Sequence, residues 1–326
     1  MSDTQGSFDA SFEVDHNGNQ VRREECNANE DQLNSIHKQP GEQIRIEFPI
    51  ENATLGAIFT VAKPPFLSDE GRVIVGDRIG NLDNCKLLEN ACEGKVKAQI
   101  MLEGLDEDEE QARDMGELIE KLNHDVQNHK LVIIAPHGGN IEPGTDLEAE
   151  YVANHFSSDV ASLWLCKGFS SKSNGQSNKD ALERWHITST KISEKSFPKL
   201  NTIIGDNPRF DYSIAFHGWT QNSICVGGTP DNPDHELKCD IKHEIKKALQ
   251  EANSDIQVYM SPCPEGDFNG DRPENIVNRL GTNSIQIEQC RKARDDFHDV
   301  IAQAVVNVIG TRINAASVNS RYLISG

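Results

Sequence analysis

Two histidines and one glutamate stand where they could bind a divalent metal ion. The apolar run over residues 131–135 is followed by Pro136, His137, Gly138 and Gly139, and Glu142 lies five positions after the histidine. A second run, residues 212–216, is followed by His217, 80 positions after His137. A catalytic zinc ion usually takes three protein ligands and leaves a fourth position open for water. His137, Glu142 and His217 therefore predict one catalytic zinc ion per chain.

The alternative is a purely structural role, in which each histidine is a packed or hydrogen-bonded residue at the end of a strand. A spacing of five between one histidine and one glutamate also occurs often by chance. Two strand ends that both continue into histidine and glycine, with a carboxylate close to one of them, favour the metal site. A bound zinc ion would lower the pKa of its water to about 7 and polarise a carbonyl group.

The elements that must position these residues are buried strands. The first run is too short and too rich in β-branched residues for a comfortable helix, and it reads as a strand covered on both faces. The second run is also strand-like. Glycine lets the chain turn sharply where a strand leaves the sheet. Ligands of open α/β sheets bind beyond the carboxyl ends of the strands. Both histidines are therefore expected at one edge of a sheet.

A general base is predicted further along the chain. In residues 283–289 apolar Ile285 and Ile287 alternate with Gln286 and Glu288, as in a strand. A carboxylate at a strand end in apolar surroundings can have a pKa tuned towards neutrality. Hydrolysis of an amide needs a group that takes a proton from water and passes it to the leaving amine. Glu288 is the predicted base, and an exposed glutamate at the strand end is the alternative.

Cationic side chains are expected to bind substrate carboxylates and the developing oxyanion. Arg279 lies just before the Glu288 strand, and Arg184 lies in a stretch rich in loop signals. His186 competes for a place among the metal ligands, but its neighbours Trp185 and Ile187 favour a packed or substrate-lining histidine. We predict substrate contacts for Arg279, Arg184 and His186, although each taken alone resembles an ordinary surface residue.

The order of patterns along the chain predicts an α/β protein with an accessory domain. Residues 1–40 are polar and lack periodicity, so we expect a disordered or poorly ordered tail. Short alternating runs with turn signals predict a small β-rich domain over residues 41–104. From residue 105 to 326, helical and strand patterns alternate and predict a mixed sheet flanked by helices. Within this domain, residues 114–122 and 291–309 are expected to be helices.

The composition of the chain limits which classes of partner it can bind. A net charge of −20 on 326 residues argues against nucleic acid as the main partner, because a phosphate binder needs a basic face. No secretory signal or membrane-spanning segment is readable, so we expect no membrane association and a cytoplasmic location. The eight cysteines form no C-x-x-C pair and are predicted to be free thiols. The oligomeric state is not predicted.

Four ordered motifs resemble the poly-γ-glutamate hydrolase family, which includes bacteriophage enzymes and their bacterial relatives. They are Ala135-Pro136-His137-Gly138-Gly139-Asn140-Ile141-Glu142, Arg184-Trp185-His186-Ile187-Thr188-Ser189-Thr190, Ala215-Phe216-His217-Gly218, and residues 275–280 continuing through Ile285-Gln286-Ile287-Glu288-Gln289. The likeness covers residues 131–309. It implies a carboxypeptidase-like α/β fold and a zinc-dependent amidase that opens γ-glutamyl amide bonds. It also implies that His137, Glu142 and His217 hold zinc and that Glu288 is the general base.

The sequence leaves three functions open: two enzymes that differ in substrate, and one binding protein without catalysis. Poly-γ-glutamate is the substrate that the resemblance implies, and a phage-related enzyme could be released by lysis. A small N-acyl or γ-glutamyl amino acid would use the same metal site, and the strong negative charge favours it because like-charged partners repel over about 8–10 Å. A degenerate scaffold that binds a partner without catalysis is the third possibility. The complete set of predicted ligands argues against it.

Overall fold

The chain forms two compact units. The first contains Met1–Glu120 and Lys167–Asn201, and the second contains Lys121–Cys166 and Thr202–Gly326. The computed structural model describes residues 6–50, 53–63, 72–78, 92–105, 108–125, 127, 129–170, 178–205, 209–229, 235–264, 266 and 268–324. In these ranges, no helix combines the length and the apolar character that a membrane span requires.

The first unit contains a closed barrel of six strands. They are β1 (Ser7–Asp15), β2 (Glu25–Asn27), β3 (Gln43–Ile50), β4 (Ala53–Val61), β5 (Arg72–Gly76) and β6 (Cys92–Lys97), in the order β1-β5-β2-β4-β3-β6 around the barrel. Alternate residues such as Phe12, Phe48 and Phe59 fill its interior. Strands β3 to β6 of this barrel lie within the range predicted to be β-rich, residues 41–104.

The predicted disorder of residues 1–40 is wrong for residues 6–40. This segment supplies β1, β2 and the short helix α1 (Glu30–Ser35). In β1, Phe8, Ala10 and Phe12 point to the barrel core while acidic residues alternate on the other face. The segment does alternate with a period of two. Its acidic residues lower the mean hydropathy, however, so the segment as a whole reads as polar.

The first unit also differs from the predicted domain that ended at residue 104. Besides the barrel it contains the helices α2 (Glu109–Met115) and α4 (Asn178–Trp185), a 3-10 helix, Glu194–Ser196, and the first half of α5 (Leu200–Ile203). The helix predicted over residues 114–122 is wrong beyond Met115. α2 ends at Met115, its C-cap Gly116 has a φ of 72°, and a strand begins at Leu118. A left-handed glycine is a common end for a helix.

A mixed sheet of seven strands is the framework of the predicted site. Its strands are β7 (Leu118–Asn123), β8 (Leu131–Gly139), β9 (Ala161–Gly168), β10 (Phe210–Gly218), β11 (Ser223–Gly227), β12 (Gln257–Met260) and β13 (Gly281–Gln289), in the order β12-β11-β13-β10-β8-β9-β7. β8, β10 and β13 are neighbours and run parallel, whereas β11 is antiparallel to β13. The predicted mixed α/β class is confirmed.

The core of the second unit lies between this sheet and three helices, α3 (Thr145–Asn154), α6 (His235–Glu251) and α9 (His298–Ile324). Ile214 and Phe216 of β10 and Ile285 and Ile287 of β13 face these helices. The short helix α7 (Ile276–Leu280) lies beside the other face, where the Ser213 hydroxyl donates to the carbonyl oxygen of Val277 at 2.7 Å. The strands of the predicted site are thus covered on both faces.

Two further expectations are corrected in the second unit. The single closing helix predicted over residues 291–309 is two helices, α8 (Arg291–Asp296) and α9, with Phe297 between them. Cys225 and Cys263 form a disulfide across 38 positions, with their Cα atoms 6.0 Å apart, so these two are not free thiols. Among the described residues, Cys26, Cys166, Cys239 and Cys290 are thiols outside any disulfide, as predicted. The cytoplasmic location stays a prediction.

Candidate metal centre

His137 and His217 come together because each ends one of two neighbouring parallel strands. β8 and β10 pair in register from Leu131 and Tyr212 onward. Strands that run parallel end at the same edge of the sheet. The imidazole ring centres lie 4.9 Å apart, and both side chains are buried.

Glu142 completes the cluster from the turn after β8. Its backbone N–H donates to the carbonyl oxygen of His137 at 2.8 Å, which folds the chain back towards the strand end. The Oε1 atom of Glu142 lies 2.9 Å from Nδ1 of His137, and its Oε2 atom lies 3.5 Å from Nδ1 of His217. The two Nδ1 atoms are 3.2 Å apart. The structure therefore brings together the three predicted metal ligands.

These distances fit a tetrahedral zinc ion. Zinc binds imidazole nitrogen and carboxylate oxygen at about 2.0–2.2 Å, so its tetrahedral ligands lie about 3.3–3.5 Å from one another. The two Nδ1 atoms lie 3.2 Å apart, close to that value, and one oxygen of Glu142 lies 2.9 Å from Nδ1 of His137 while its other oxygen lies 3.5 Å from Nδ1 of His217. One ligand atom from each residue lies within 4.8 Å of the others. Two neutral imidazoles and one carboxylate are also a usual zinc donor set.

Hydrogen bonds from Gly218 and Thr145 hold Glu142 in this position. The Gly218 N–H, next to His217, donates to Oε2 of Glu142 at 2.9 Å. The hydroxyl of Thr145, at the start of α3, donates to the Glu142 carbonyl oxygen at 2.9 Å. Burial alone would raise the pKa of Glu142, but the charges and hydrogen bonds of His137 and His217 hold it well below its usual value. The carboxylate is thus ionised, as a metal ligand must be.

Glu288 lies on the strand next to His217. It pairs with His217 of β10 and with Cys225 of β11, and paired residues of adjacent strands place their side chains on the same face. Nε2 of Gln286 donates to Oε1 of Glu288 at 2.8 Å. Burial, followed by the charge of Glu142, raises the pKa of Glu288 well above its usual value, and the Gln286 hydrogen bond opposes this. A buried carboxylate with a raised pKa suits the predicted base.

Arg294 of α8 is a supporting residue that sequence reasoning missed. Its Nη1 donates to the carbonyl oxygen of Pro143 at 2.7 Å, and its guanidinium packs on the backbone of Gly218. Arg294 is buried, whereas Arg291 of the same short helix is exposed and pairs with Asp295. No local signal separates these two arginines, because only the tertiary fold decides which one is buried.

A second missed pair lies between α3 and the end of β13. Nε2 of Gln289 donates to Oε2 of Glu148 at 2.6 Å, and both residues are fully buried. Burial raises the pKa of Glu148 well above its usual value, although the Gln289 hydrogen bond and the charge of Arg294 oppose the shift. Among the described residues, neither Oε1 of Glu148 nor Oε1 of Gln289 has a hydrogen-bond partner. A protonated Glu148 would satisfy Gln289 through its own O–H.

The predicted substrate-binding residues do not join the metal cluster. The half-buried Arg279 is on α7, and the Arg209 N–H donates to the carbonyl oxygen of the adjacent Leu280. α7 leads into the start of β13 at Gly281. The contact of Arg279 with substrate stays a prediction.

Arg184 and His186 belong to the first unit. Nε of the buried Arg184 donates to the Gly56 carbonyl oxygen at 2.7 Å, and its Nη1 donates to Asp180 at 3.3 Å. His186 lies 3.4 Å from the carboxylate of Glu24. These contacts are typical of structural residues within the unit. Substrate contacts of Arg184 and His186 stay predictions.

Comparison with known proteins identifies the family. The model of the poly-gamma-glutamate hydrolase family matches residues 101–311, a range that contains His137, Glu142, His217 and Glu288. The chain belongs to the poly-gamma-glutamate hydrolase family. The resemblance seen in the sequence is thereby confirmed.

Individual relatives of this poly-gamma-glutamate hydrolase family member are distant. The UPF0714 protein YmaC of Bacillus subtilis (strain 168) is 29% identical over 179 residues, which are 54% of this chain and 63% of YmaC. The UPF0714 protein YndL of the same organism is 29% identical over 175 residues, which are 53% of this chain and 58% of YndL. The chain thus spans about three-fifths of the length of these curated relatives.

Solved structures show similar partial likeness. A bacteriophage poly-gamma-glutamate hydrolase is 20% identical, with a TM-score of 0.46, over 61% of this chain and 90% of the phage chain. A zinc-free structure of YndL is 20% identical, with a TM-score of 0.43, over 65% of this chain and 97% of the other.

Proposed function

We propose that the protein is a zinc-dependent amidohydrolase that cleaves γ-glutamyl amide bonds, with poly-γ-glutamate as its substrate. The observation that carries the proposal is the convergence of His137, Glu142 and His217 beside Glu288 in a member of this hydrolase family. A zinc-free form of the relative YndL has been solved, which supports zinc as the metal here.

The roles of the side chains follow from the geometry. His137, Glu142 and His217 would hold the zinc ion, and the Gly218 N–H keeps the Glu142 carboxylate turned towards both imidazoles. Bound zinc supplies Lewis-acid chemistry, which polarises the amide carbonyl and lowers the pKa of water. Glu288 takes a proton from the attacking water as the new C–O bond forms. It then passes that proton to the leaving nitrogen as the C–N bond breaks.

A small γ-glutamyl or N-acyl amino acid is the second candidate substrate. The net charge of −20 favours it, because a polyanion would be repelled unless the groove is locally basic. Both candidates use the same metal site and the same base. They differ in whether the rate depends on the length of the substrate chain.

The test combines metal analysis with hydrolysis of two substrates. The full chain is stripped with a chelator, reloaded with zinc, and assayed on poly-γ-glutamate and on a γ-glutamyl dipeptide. We expect one zinc per chain, loss of hydrolysis on stripping and recovery on reloading. His217→Ala should lose the metal. The control His155→Ala should keep it, because His155 is exposed and its Nδ1 is hydrogen-bonded to the carbonyl oxygen of Tyr151. Zinc far below one equivalent, or no hydrolysis of either substrate, would overturn the proposal.

A further inference from the structure

A line of three buried side chains leads from the start of α7 to the predicted base. Nδ2 of Asn275 donates to Oε1 of Gln286 at 2.7 Å, and Nε2 of Gln286 donates to Oε1 of Glu288 at 2.8 Å. Asn275, Gln286 and Glu288 are 4%, 4% and 5% exposed, so water does not compete for these hydrogen bonds. The line lies on the sheet face that carries Glu288, because Gln286 and Glu288 are two positions apart in β13.

The orientation of each amide in this line is determined by its neighbours. Asn275 is the N-cap of α7, and its Oδ1 accepts the Val277 N–H at 3.3 Å. Its Nδ2 is therefore the end that reaches Gln286. Since the oxygen of Gln286 accepts from Asn275, only the NH₂ group of Gln286 faces Glu288. An amide NH₂ group donates hydrogen bonds and does not accept them.

The surrounding loop leaves Gln286 little freedom to turn. Gly270 has a φ of 66°, and a Cβ atom there would lie 2.7 Å from Cβ of Gln286. Nδ2 of Asn278 donates to the carbonyl oxygens of Gly270 and Arg272, both at 2.7 Å. These hydrogen bonds keep the loop closely packed against Gln286. The amide is thus confined by the loop as well as oriented by Asn275.

We propose that Gln286 is the positioning residue of the base and that Oε2 of Glu288 is the oxygen that takes the proton. Oε1 of Glu288 is engaged by the Gln286 NH₂ group, so the proton taken from water goes to Oε2 and leaves from Oε2 to the departing amine. This inference rests on the proposed function, because it assigns Glu288 as the base. Asn275 acts one step further away, by keeping the NH₂ end of Gln286 turned towards Glu288.

Two substitutions separate this role from simple packing. Asn275→Asp keeps an N-cap of similar strength but removes the NH₂ group that orients Gln286. Gln286→Leu removes the donor to Glu288 at similar volume. The control is Asn283→Asp, which makes the same chemical change near the start of β13, where Asn283 donates to the Asp211 carbonyl oxygen.

The kinetic readout is the division between kcat and KM on a γ-glutamyl substrate with zinc bound. We expect Gln286→Leu to lower kcat at least tenfold and Asn275→Asp to lower it about threefold to tenfold, because an unheld carboxylate loses the geometry that proton transfer requires. KM and zinc content should change less than twofold. Asn283→Asp should keep the kcat of the wild type. A kcat within twofold of the wild type for both test variants would overturn the proposal.

A second readout does not depend on activity. In protein labelled with ¹⁵N-glutamine, the Gln286 NH₂ resonances are assigned by their loss in Gln286→Leu. We expect both Asn275→Asp and Glu288→Leu to shift these resonances, and Asn283→Asp to leave them in place. If the wild type hydrolyses neither substrate, the proposed function fails, and these resonances alone decide whether Gln286 holds Glu288. Unshifted resonances in Glu288→Leu would refute the hydrogen bond and with it the inference.

Discussion

Gly218→Ala tests whether Arg294 packs against Gly218, next to the candidate metal ligands, as closely as the structure shows. A Cβ atom at Gly218 would lie 2.4 Å from the guanidinium carbon of Arg294 and 2.6 Å from its Nε. Arg294 is only 6% exposed and donates to the carbonyl oxygen of Pro143, so it cannot simply move into solvent. The backbone φ of Gly218 lies outside the left-handed range, so alanine adds no backbone strain. The substitution therefore isolates one steric conflict.

The cost can be worked out from these distances. To reach an ordinary contact of 3.4 Å instead of 2.4 Å, the guanidinium must retreat by about 1 Å. The hydrogen bond from Arg294 to Pro143, now 2.7 Å, would lengthen to about 3.7 Å and be lost. A hydrogen bond to a charged group contributes about 1.5–3 kcal/mol, and overpacking costs about 1–3 kcal/mol. We expect the free energy of unfolding to fall by about 2–4 kcal/mol.

The assay is a double-mutant cycle measured by urea unfolding. Gly218→Ala is compared in the wild-type background and in Arg294→Ala, where the space next to the new methyl group is open. Gly218→Ala should cost about 2–4 kcal/mol in the first background and less than about 0.5 kcal/mol in the second. Zinc affinity should fall with stability in the first background, because the Gly218 N–H holds Oε2 of Glu142.

Gly310→Ala is the matched control for this cycle. It lies within α9, and a Cβ atom there would meet only Phe156, at 3.8 Å. Glycine to alanine inside a helix should raise the free energy of unfolding by about 0.5–1 kcal/mol. Equal costs of Gly218→Ala with and without Arg294 would refute the steric reasoning. A cost below about 0.5 kcal/mol in the wild type would refute it as well.

Three further predictions follow from the same site and its surroundings. Glu288→Gln should keep one zinc per chain and lose about 10²–10⁴-fold in kcat; full turnover with metal bound would remove Glu288 as the base. Reduction of the Cys225–Cys263 disulfide, which closes a loop of 38 positions, should lower the free energy of unfolding by about 4 kcal/mol. Cys239→Ser should show the same loss on reduction, since Cys239 is a free thiol, and an unchanged urea midpoint under reductant would contradict the bridge. Burial raises the pKa of Glu148, so its contribution to stability is full below about pH 4 and is lost as the pH rises through the raised pKa. The urea midpoint of Glu148→Gln relative to that of the wild type should therefore rise between pH 4 and pH 8. A difference between the two midpoints that stays constant over this range would refute the raised pKa of Glu148.

The convergence of the candidate metal ligands could be predicted because their positions depend on local signals. An apolar run marks each buried strand, and the glycine after each histidine marks where that strand ends. Since parallel neighbours end at the same edge, residue types at two strand ends were enough to place His137 beside His217. Glu288 followed from the same reasoning, applied to the alternation in β13.

The division into units depends on long-range contacts that no local pattern reports. Lys167–Asn201 begins within the last residues of β9 but belongs to the first unit. Within that unit, the hydroxyl oxygen of Ser196 accepts a hydrogen bond from the backbone N–H of Gln43 at 2.8 Å, although the two residues are 153 positions apart in the chain. The disulfide is a similar case, because the spacing of Cys225 and Cys263 does not predict that their Cα atoms come within 6.0 Å. Residue spacing alone therefore could not show which segments pack together.

The last two residues of β13 explain why support for the site was also hidden in the sequence. Successive strand residues face opposite sides of a sheet, so Glu288 meets Gln286 on one side while Gln289 meets Glu148 on the other. Glu148 belongs to α3, which begins three residues after the candidate metal ligand Glu142. One strand end thus joins the predicted base to the helix that follows a candidate metal ligand. In the sequence, glutamine next to glutamate at a strand end looks the same whether the side chains are solvated or buried. Only burial on both faces of the sheet leads these polar side chains to hydrogen-bond with one another and hold the site in place.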